Sequence, residues 1–291
     1  MFPMREVERY TSPSRFEAEK RVVFRRLPQI VGRASELAEP GCFFTHDAAG
    51  TALLLTRDDS GVVHAMLNEC RHRGARLVLT EEGSAPSFVC KYHSWRYDLR
   101  GQLARPGRVS LPAALEQFMD DSALVDFPCE TRHGFLWVLP TARAELDVAR
   151  WLGELDVALG DAGLADHRVV RRTTERRASN WKLVLEDYLE GGGAASSRPR
   201  RLIFPRSLLS FEAGFVVHTA VFPDGLEQSL LVHTMLMPAG ADHPPSQPPR
   251  PGAPGAPGAS PPLPGALLPP PAFHEALERA MAAHPRARER E

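Results

Sequence analysis

The chain has little lysine, few cysteines and no long apolar run. Only three of its 35 basic residues are lysine, and 36 acidic residues bring the formal net charge to −1. A net charge this close to zero creates no broad field that would attract nucleic acid or an anionic membrane, so we predict neither partner. No segment approaches the roughly 18 apolar residues of a membrane-spanning helix, and the first residues lack the apolar core of a secretory leader. The cytoplasm is therefore the predicted compartment.

The four cysteines are too few and too scattered for a disulfide framework in a chain of 291 residues. This length allows one large domain or two ordinary ones, and the 43% apolar content is typical of globular proteins. Cys42 and Cys129 stand alone among apolar residues, where a buried free thiol is expected. Cys70 and Cys90 instead each have a histidine close by, and these two pairs carry the functional interpretation.

The strongest motif consists of two Cys-plus-His pairs separated by 17 residues, Cys70 with His72 and Cys90 with His93. A 2Fe-2S cluster of the Rieske type needs two thiolates on one iron and two neutral imidazoles on the other, which is this residue set. We predict that the cysteines bind one iron and the histidines the other. A Cys2His2 zinc site is the main alternative, although finger-type zinc sites pair Cys with Cys and His with His. Four unrelated core or loop residues are the remaining interpretation.

The segments around both pairs, NECRHRGARL and CKYHSWRYDLRGQL, resemble the Rieske domain of ring-hydroxylating oxygenase alpha subunits. Members of this family carry a Rieske cluster and, in a second domain, a mononuclear non-haem iron that activates oxygen. The resemblance covers roughly residues 6 to 240, and Ser94 departs from the glycine that the family usually has there. It implies an α+β fold with an all-β Rieske domain, a truncated helix-grip-type antiparallel sheet with helices, and a Pro-rich tail.

Composition and the resemblance together divide the chain into five predicted segments. Residues 244 to 271 contain 13 prolines among 28 residues, a composition that cannot pack a core and predicts an extended, disordered linker. The predicted segments are an N-terminal helix packed on the second domain (1–28), a Rieske domain (29–142), a truncated catalytic domain (143–241), a Pro-rich linker (242–271) and a C-terminal helix (272–291).

Short apolar segments separated by turn residues predict strands in the first domain. His64, His133 and Trp137 lie among them and are assigned structural roles. Helical spacing of apolar residues predicts a packing helix at 144–158 and a second helix at 180–190. The predicted strands are CFFTH, TALLLTR, VVHAML, RLVLT, SFVCKY and GFLWVLP, followed in the second domain by 167–179, LIFPRSLLSF at 202–211, FVVHTAVFP and SLLVHTMLMP.

The resemblance implies a catalytic iron in the second domain, but the sequence departs from the family at the ligand positions. In family members the helix matching residues 180–190 continues past a carboxylate into two histidines five residues apart. Glu190 matches the carboxylate, which links the Rieske domain of a neighbouring subunit to the iron, but Gly193 and Arg198 occupy the histidine positions. Glycine has no side chain, and a protonated guanidinium has no lone pair for a metal. We therefore predict that mononuclear Fe(II) is absent.

The third iron ligand of the family is an aspartate on a C-terminal helix, and here Asp242 is the last aspartate in the chain. This ligand is either gone or replaced by Glu275 or Glu278. The segment that covers the substrate pocket in family members is also missing, because LIFPRSLLSF begins almost directly after the glycine-rich run. We therefore expect a reduced substrate cavity.

Three hypotheses for function follow. The first is a catalytically degenerate alpha-subunit paralogue, a pseudoenzyme that transfers electrons through its Rieske cluster to an intact partner. The second is an active Rieske mono- or dioxygenase whose atypical iron site uses Glu186, Asp187, Glu190 and one strand histidine, His218 or His233. The third is a non-enzymatic redox-sensing or structural partner whose tail binds another protein. The resemblance further implies a homo- or hetero-trimer with a related alpha subunit, and a ferredoxin or flavin reductase as electron donor.

Overall fold

The computed structural model describes residues 4–48, 50–104, 112–190, 200–212, 214–241 and 270–283. The chain divides into two units, one formed by residues 31–148 and the other by residues 1–30 together with 149–291. Across the described ranges, every helix is too short or too polar to cross a membrane. The cytoplasmic location stays a prediction.

The helices in chain order are α1 (Met4–Thr11), α2 (Pro13–Glu19), α3 (Ala113–Asp121), α4 (Val148–Leu152), α5 (Glu154–Asp161), α6 (Trp181–Leu189) and α7 (Pro270–Ala282). A π-helical turn at Lys20–Phe24 extends α2. The strands are β1 (Gln29–Arg33), β2 (Cys42–Ala48), β3 (Thr51–Arg57), β4 (Val63–Leu67), β5 (Glu82–Ser84), β6 (Phe88–Val89), β7 (Arg96–Tyr97), β8 (Asp126–Phe127), β9 (Cys129–Arg132), β10 (Phe135–Val138), β11 (His167–Arg177), β12 (Arg200–Ile203), β13 (Ser207–Glu212), β14 (Phe215–Pro223) and β15 (Ser229–Pro238).

The unit of residues 31–148 is built mainly from antiparallel strands, in the orders β5-β2-β3-β4-β8 and β1-β10-β9, with β6 paired to β7. Side chains of β3 alternate between two apolar clusters, as the two-residue period of a strand requires. Leu53 and Leu55 point into one cluster, and Leu54 points into the other, which also contains Cys70 and Cys90. The central strand is therefore buried on both sides, and one of its two cores supports the predicted ligand cysteines.

The prediction of a strand at RLVLT is wrong. Leu77 and Val78 are buried there, but the side chain of Asn68 takes the place of a neighbouring strand. Its amide donates to the carbonyl oxygen of Val78 at 2.8 Å, and its side-chain oxygen accepts from the Val78 N–H at 2.9 Å. Because a buried asparagine satisfies the backbone in this way, the apolar segment folds as a loop.

The other unit contains a five-stranded antiparallel sheet in the order β11-β15-β14-β13-β12. The predicted strands FVVHTAVFP and SLLVHTMLMP are confirmed as β14 and β15. The prediction of one strand at 202–211 is wrong, because residues 204–206 turn and β12 pairs antiparallel with β13. Pro205 at this turn has no N–H to donate to a ladder.

The helices of this unit follow the apolar spacing with one exception. The predicted helix at 144–158 is interrupted by Gly153, whose φ of +56° separates α4 from α5. The predicted helix at 180–190 is confirmed as α6, which begins where the Asn180 side chain accepts a hydrogen bond from the Lys182 N–H at 3.1 Å. Its buried apolar side chains are Trp181, Val184, Leu185 and Tyr188.

Helix α7 packs within the same unit through one apolar stripe. Phe273 and Leu277 are fully buried, and Met281 is nearly so. The ring centroid of Phe273 lies 5.9 Å from that of Trp181 and 6.1 Å from that of Phe204. The apolar face of α7 is therefore used within its own unit.

Candidate metal centre

The four predicted cluster ligands lie on two loops of the unit of residues 31–148. Cys70 and His72 belong to the first ligand loop (70–75), which follows β4. Cys90 and His93 belong to the second ligand loop (90–95), which joins β6 to β7. Because β6 and β7 pair antiparallel, they bring the two ends of the second ligand loop together.

The first ligand loop closes on itself through two backbone hydrogen bonds. The Cys70 N–H donates to the Ala75 oxygen at 2.8 Å, and the Gly74 N–H donates to the Cys70 oxygen at 2.8 Å. Gly74 has a φ of +70°, a left-handed conformation that glycine adopts without steric penalty. The resulting tight turn presents His72 at its tip.

The second ligand loop repeats this backbone arrangement. The Cys90 N–H donates to the Trp95 oxygen at 2.8 Å, and the Ser94 N–H donates to the Cys90 oxygen at 2.9 Å. Ser94 stands at the position equivalent to Gly74 and has a φ of +58°. This conformation costs a residue with a Cβ roughly 1–2 kcal/mol. The turn is therefore retained although the residue is no longer glycine.

The thiols and the imidazoles form two separate facing pairs. Cys70 and Cys90 are each 2% exposed, and their side chains lie within hydrogen-bond reach of each other. The Nδ1 atoms of His72 and His93 are 3.0 Å apart. Two nitrogens bound to one tetrahedral metal at roughly 2.0–2.1 Å lie about 3.4 Å apart, which is close to this separation. The residues therefore fit a cluster with thiolates at a buried end and imidazoles at an accessible end.

Tyr97 lies against the first ligand loop and hydrogen-bonds to it. Its hydroxyl oxygen accepts from the Arg71 N–H at 3.1 Å and lies 3.5 Å from the Cys70 sulfur. Burial, and next the hydrogen bond to Cys70, raise the pKa of Tyr97 well above its ordinary value. The phenol therefore stays protonated and can donate its O–H to a thiolate. Sequence reasoning missed Tyr97, because nothing in the motif connects it to a cysteine 27 positions away.

The Cys90 sulfur receives hydrogen bonds from its own loop. Burial by itself raises the pKa of this thiol, but the N–H groups of Tyr92 and His93, a hydrogen bond with Cys70 and the charge of Lys91 lower the pKa of Cys90 overall. A lowered pKa favours the thiolate, which is the form that binds metal.

The ring of His72 is positioned by the other ligand loop. Trp95 stacks on it with ring centroids 5.0 Å apart and an interplanar angle of 19°. Phe118 of α3 meets Trp95 edge-on at 6.0 Å. Burial is the largest cause that lowers the pKa of His72, followed by electrostatic repulsion from His93 and Arg73. A lowered pKa favours the neutral imidazole that a metal requires.

The residues considered for an iron site in the second domain lie in different surroundings. Glu190 is the exposed C-terminal cap of α6. Asp187 lies 3.3 Å from the guanidinium of Arg177. Gly193 and Arg198 lie outside the described residues. Neither of these two residue types offers an electron pair to a metal, so they do not fit the iron of the family.

The two strand histidines have separate surroundings. His218 on β14 is 7% exposed. His233 on β15 has its Nδ1 2.9 Å from the Thr219 hydroxyl and its Nε2 3.7 Å from the Glu175 carboxylate. Burial lowers the pKa of His233 although the carboxylate opposes the shift. His233 therefore sits in a hydrogen-bonded setting between strands.

Helix α7 contributes a histidine that the sequence analysis overlooked. His274 Nε2 lies 2.8 Å from the Glu186 carboxylate and 3.2 Å from the Tyr10 hydroxyl. The Tyr10 O–H donates to the same carboxylate at 3.0 Å. A carboxylate, an imidazole and a phenol from three helices are thus in mutual contact. The apolar periodicity of α7 predicts its buried stripe but gives no sign of this polar contact.

The two α7 glutamates considered as replacement ligands lie elsewhere. Glu278 forms an ion pair with Arg15 at 2.6 Å, and Glu275 is exposed. Within the ranges that the structure describes, no three His, Cys, Asp or Glu side chains are grouped closely enough to hold a single metal ion.

Comparison with known families addresses the first domain directly. The family model for the Rieske [2Fe-2S] domain matches residues 28–114, which include both ligand loops. This match favours the iron–sulfur interpretation over a zinc site.

Relatives of the chain are oxygenase subunits by name. It is 31% identical over 193 residues to the glycine betaine monooxygenase oxygenase subunit of Pseudomonas aeruginosa (strain UCBPP-PA14), a match covering 66% of this chain and 44% of the relative. It is 33% identical over 184 residues to the carnitine monooxygenase oxygenase subunit of Escherichia coli (strain K12), covering 62% of this chain and 48% of the relative. The chain therefore spans about half the length of these relatives.

Solved structures share the fold. The apo form of the quaternary ammonium Rieske monooxygenase CntA superposes with a TM-score of 0.70 at 23% identity, covering 81% of this chain and 75% of the other. Naphthalene 1,2-dioxygenase with bound indole gives a TM-score of 0.65 at 18% identity, covering 78% and 69%. Both confirm the predicted α+β fold, a Rieske β domain with a further antiparallel sheet and helices. Residues 28–114 are thus a Rieske [2Fe-2S] domain, and the chain is a homologue of Rieske oxygenase alpha subunits with a shortened catalytic domain.

Proposed function

We propose that this chain is a one-electron relay, an alpha-subunit paralogue that has lost its mononuclear iron and passes electrons to an intact partner oxygenase subunit. One observation carries the proposal. The four cluster donors meet on two well-formed loops, whereas Gly193 and Arg198 stand where the resemblance assigns iron-binding histidines. The relatives are oxygenase subunits by name, so the loss is proposed for this chain from its own residues.

When bound, a Rieske cluster supplies one-electron transfer at a potential within roughly −150 to +300 mV. The protein's residues supply the rest. Cys70 and Cys90 would hold the buried end: the Tyr97 O–H can donate to the Cys70 sulfur, and hydrogen bonds from the second ligand loop favour the thiolate form of Cys90. His93 is exposed at the other end, so an electron can enter or leave there while the sulfur ligands stay covered.

The proposed partners follow the resemblance. We place the chain in a homo- or hetero-trimer with a related alpha subunit, in the cytoplasm, with a ferredoxin or flavin reductase as donor. Glu190 is the proposed carboxylate between subunits, and its exposure at the end of α6 supports that role. A solved quaternary ammonium Rieske monooxygenase with the same fold is described in terms of inter-subunit electron transfer.

Metal analysis with electron paramagnetic resonance tests the proposal. We expect two iron atoms and two labile sulfides per chain and a Rieske spectrum on reduction. Cys90→Ser should remove the spectrum, whereas Cys129→Ser, which alters a thiol that donates to the Val63 oxygen in the same unit, should keep it. A third iron together with substrate turnover by the isolated chain would show that the proposal is wrong.

An active oxygenase with an atypical iron site is the second candidate. The contact of His274 with Glu186 favours it over the strand histidines, because it joins an imidazole and a carboxylate at 2.8 Å. In that case the chain holds a third iron, and His274→Gln and Glu186→Gln each release it while the Rieske spectrum remains. His218→Ala and His233→Ala then serve as controls that keep the third iron.

The third hypothesis, a structural or redox-sensing protein whose tail binds a partner, is supported by no comparable contact among the described residues. The apolar face of α7 is already buried against its own unit. Of the predicted linker 242–271, residues 242–269 lie outside the described residues, and the prediction is wrong for Pro270 and Pro271, which begin α7.

A further inference from the structure

A cleft of about 750 Å³ lies among helices α1, α2 and α7. Its lining residues fall between positions 8 and 21 and between positions 278 and 281, so the whole cleft belongs to the unit of residues 1–30 and 149–291. Sites for small molecules have volumes of roughly 300–1,000 Å³. The cleft is therefore large enough for a small ligand, and its lining includes none of the four predicted cluster ligands.

Helical spacing brings polar side chains into this cleft. Ser14, Ala18 and Arg21 follow one another at intervals of four and three residues along α2 and its π-helical extension, so they share one face. Arg9 joins them from the last turn of α1. Because the Ala18 side chain is a single methyl group, it leaves space between the serine and the arginine.

Three arginines line the cleft, and one of them is neutralised by its neighbours. Arg15 forms ion pairs with Glu278 at 2.6 Å and with Glu19 at 3.1 Å. The side chains of Arg9 and Arg21 form neither an ion pair nor a hydrogen bond with any residue that the structure describes. Two guanidinium groups in the cleft thus keep donors available for a ligand.

The surroundings of these two arginines favour an anion. Both side chains are only partly exposed, which strengthens their attraction for a negative group compared with that of a fully solvated arginine. The Nε of Arg21 is buried and has no acceptor among the described residues, although most buried polar groups in folded proteins have one. The planar fork of a guanidinium matches the paired oxygens of a carboxylate or phosphate.

We propose that this arginine cleft, defined by Arg9, Ser12, Ser14 and Arg21, binds a small molecule through an oxyanion, either a phosphoryl or a carboxylate group. The two serine hydroxyls are 3.0 Å apart, so one donates to the other and one hydroxyl hydrogen remains for the ligand. Buried Met281 offers the rest of the ligand an apolar contact. This site is additional to the proposed electron relay and does not depend on it.

Isothermal titration calorimetry of the full-length chain tests the arginine cleft. Inorganic pyrophosphate and succinate are titrated separately, which distinguishes a phosphoryl from a carboxylate ligand. An ionic strength of about 0.1 M limits attraction by distant charges to roughly 10 Å. We expect at least one probe to bind with one site per chain. Arg21→Gln should weaken that binding at least about tenfold, because charge-assisted hydrogen bonds are lost. If neither probe binds the wild-type chain, the proposal is wrong.

Matched variants separate a specific site from a general effect of charge. Arg26→Gln removes the same charge from an exposed arginine outside the cleft and should change the affinity by no more than about twofold. Arg21→Lys keeps the charge but loses the fork, so its affinity should lie between those of Arg21→Gln and the wild-type chain. Glu8→Gln should tighten binding by up to about threefold, because Glu8 is an exposed carboxylate of the lining.

A second arginine makes the test independent of one substitution. Arg9→Gln should also weaken binding about tenfold, and it alters a side chain with no partner among the described residues. Thermal unfolding identifies any variant whose fold is disturbed, and the comparison then uses the other arginine. Equal weakening by the cleft variants and by Arg26→Gln would overturn the site, because the probe would then respond only to overall charge.

Discussion

The two ligand loops share a backbone and differ in what surrounds it. In both loops the cysteine N–H donates a hydrogen bond to the carbonyl oxygen of the fifth residue after it. The N–H of the fourth residue after the cysteine donates to the cysteine carbonyl oxygen. The histidine comes two residues after the cysteine in the first loop and three residues after it in the second. The two loops therefore share the hydrogen-bonded turn although their residue types differ.

The side chains give each loop a different supporting role. Tyr97 supports the first loop through Cys70 and the Arg71 N–H. The second loop instead supports its neighbour, because Trp95 stacks on His72. Neither loop is a complete half-site, so we expect cluster binding to require both loops in their folded form.

Exchanging a ligand histidine for cysteine tests whether the two loops are equivalent at the metal. We expect His72→Cys and His93→Cys each to lower the reduction potential by at least about 100 mV, because all-cysteine plant-type clusters lie near −400 mV. Redox titration followed by paramagnetic resonance measures the shift. His64→Gln is the control, since His64 contacts Asp58 at 3.1 Å in the same unit and is not a predicted ligand. A histidine whose exchange leaves potential and spectrum unchanged is not a ligand.

Exchanging the residues at Gly74 and Ser94 tests whether the left-handed backbone conformation costs the same free energy in both loops. A Cβ at Gly74 would meet nothing within 4 Å, so Gly74→Ser changes little besides conformational energy. We expect it to lower the free energy of unfolding by about 1 kcal/mol, and Ser94→Gly to raise it by about as much. Thermal unfolding of the cluster-containing protein should shift by about 2–4 °C in opposite directions.

The double swap is the internal control for this pair. Gly74→Ser/Ser94→Gly should unfold within about 1 °C of the wild-type protein, because the two effects cancel. A lower unfolding temperature for Ser94→Gly alone would mean that the serine hydroxyl stabilises the second loop by more than its backbone costs.

Removing one hydroxyl tests the support that only the first loop has. Tyr97→Phe deletes the donor to the Cys70 sulfur, and loss of a hydrogen bond worth about 1 kcal/mol lowers a one-electron potential by about 40 mV. Voltammetry measures the change. Tyr92→Phe is the matched control, because that hydroxyl belongs to a side chain that is 64% exposed. Equal potentials for all three proteins would contradict a hydrogen bond from Tyr97 to the cluster.

The fold could be predicted where one kind of local pattern dominates. β14 and β15 are long apolar segments with several β-branched residues, and α6 has both a cap residue and a helical stripe, so local sequence predicts them. The strand predictions at RLVLT and at residues 202–211 were wrong for physical reasons. The backbone of RLVLT forms its hydrogen bonds with the distant side chain of Asn68 rather than with a neighbouring strand. The segment 202–211 turns at Pro205, in the middle of its apolar residues.

The candidate site, like the fold, could be predicted from the sequence only in part. The proximity of the two thiols and of the two imidazoles could be predicted because these groups are chemically specific and their spacing is short; their role as cluster ligands stays a prediction. Tyr97, the stack of Trp95 on His72 and the contact of His274 with Glu186 could not, because each depends on residues that only tertiary folding brings together. Glu190 as a carboxylate between subunits also stays a prediction.

Burial of the two sulfurs that we predict to bind iron has a consequence for how long the protein survives in air. Oxidation of cysteine to sulfenic or sulfinic acid follows exposure of the sulfur, and Cys70 and Cys90 are each 2% exposed. Peroxide and other small oxidants reach the nitrogen end of the site first, where imidazole resists this chemistry. The electron transfer that we propose at the imidazole end and the oxidation of the sulfurs therefore involve different sides of the site. The apolar packing around the thiols thus protects the centre as well as holding the fold.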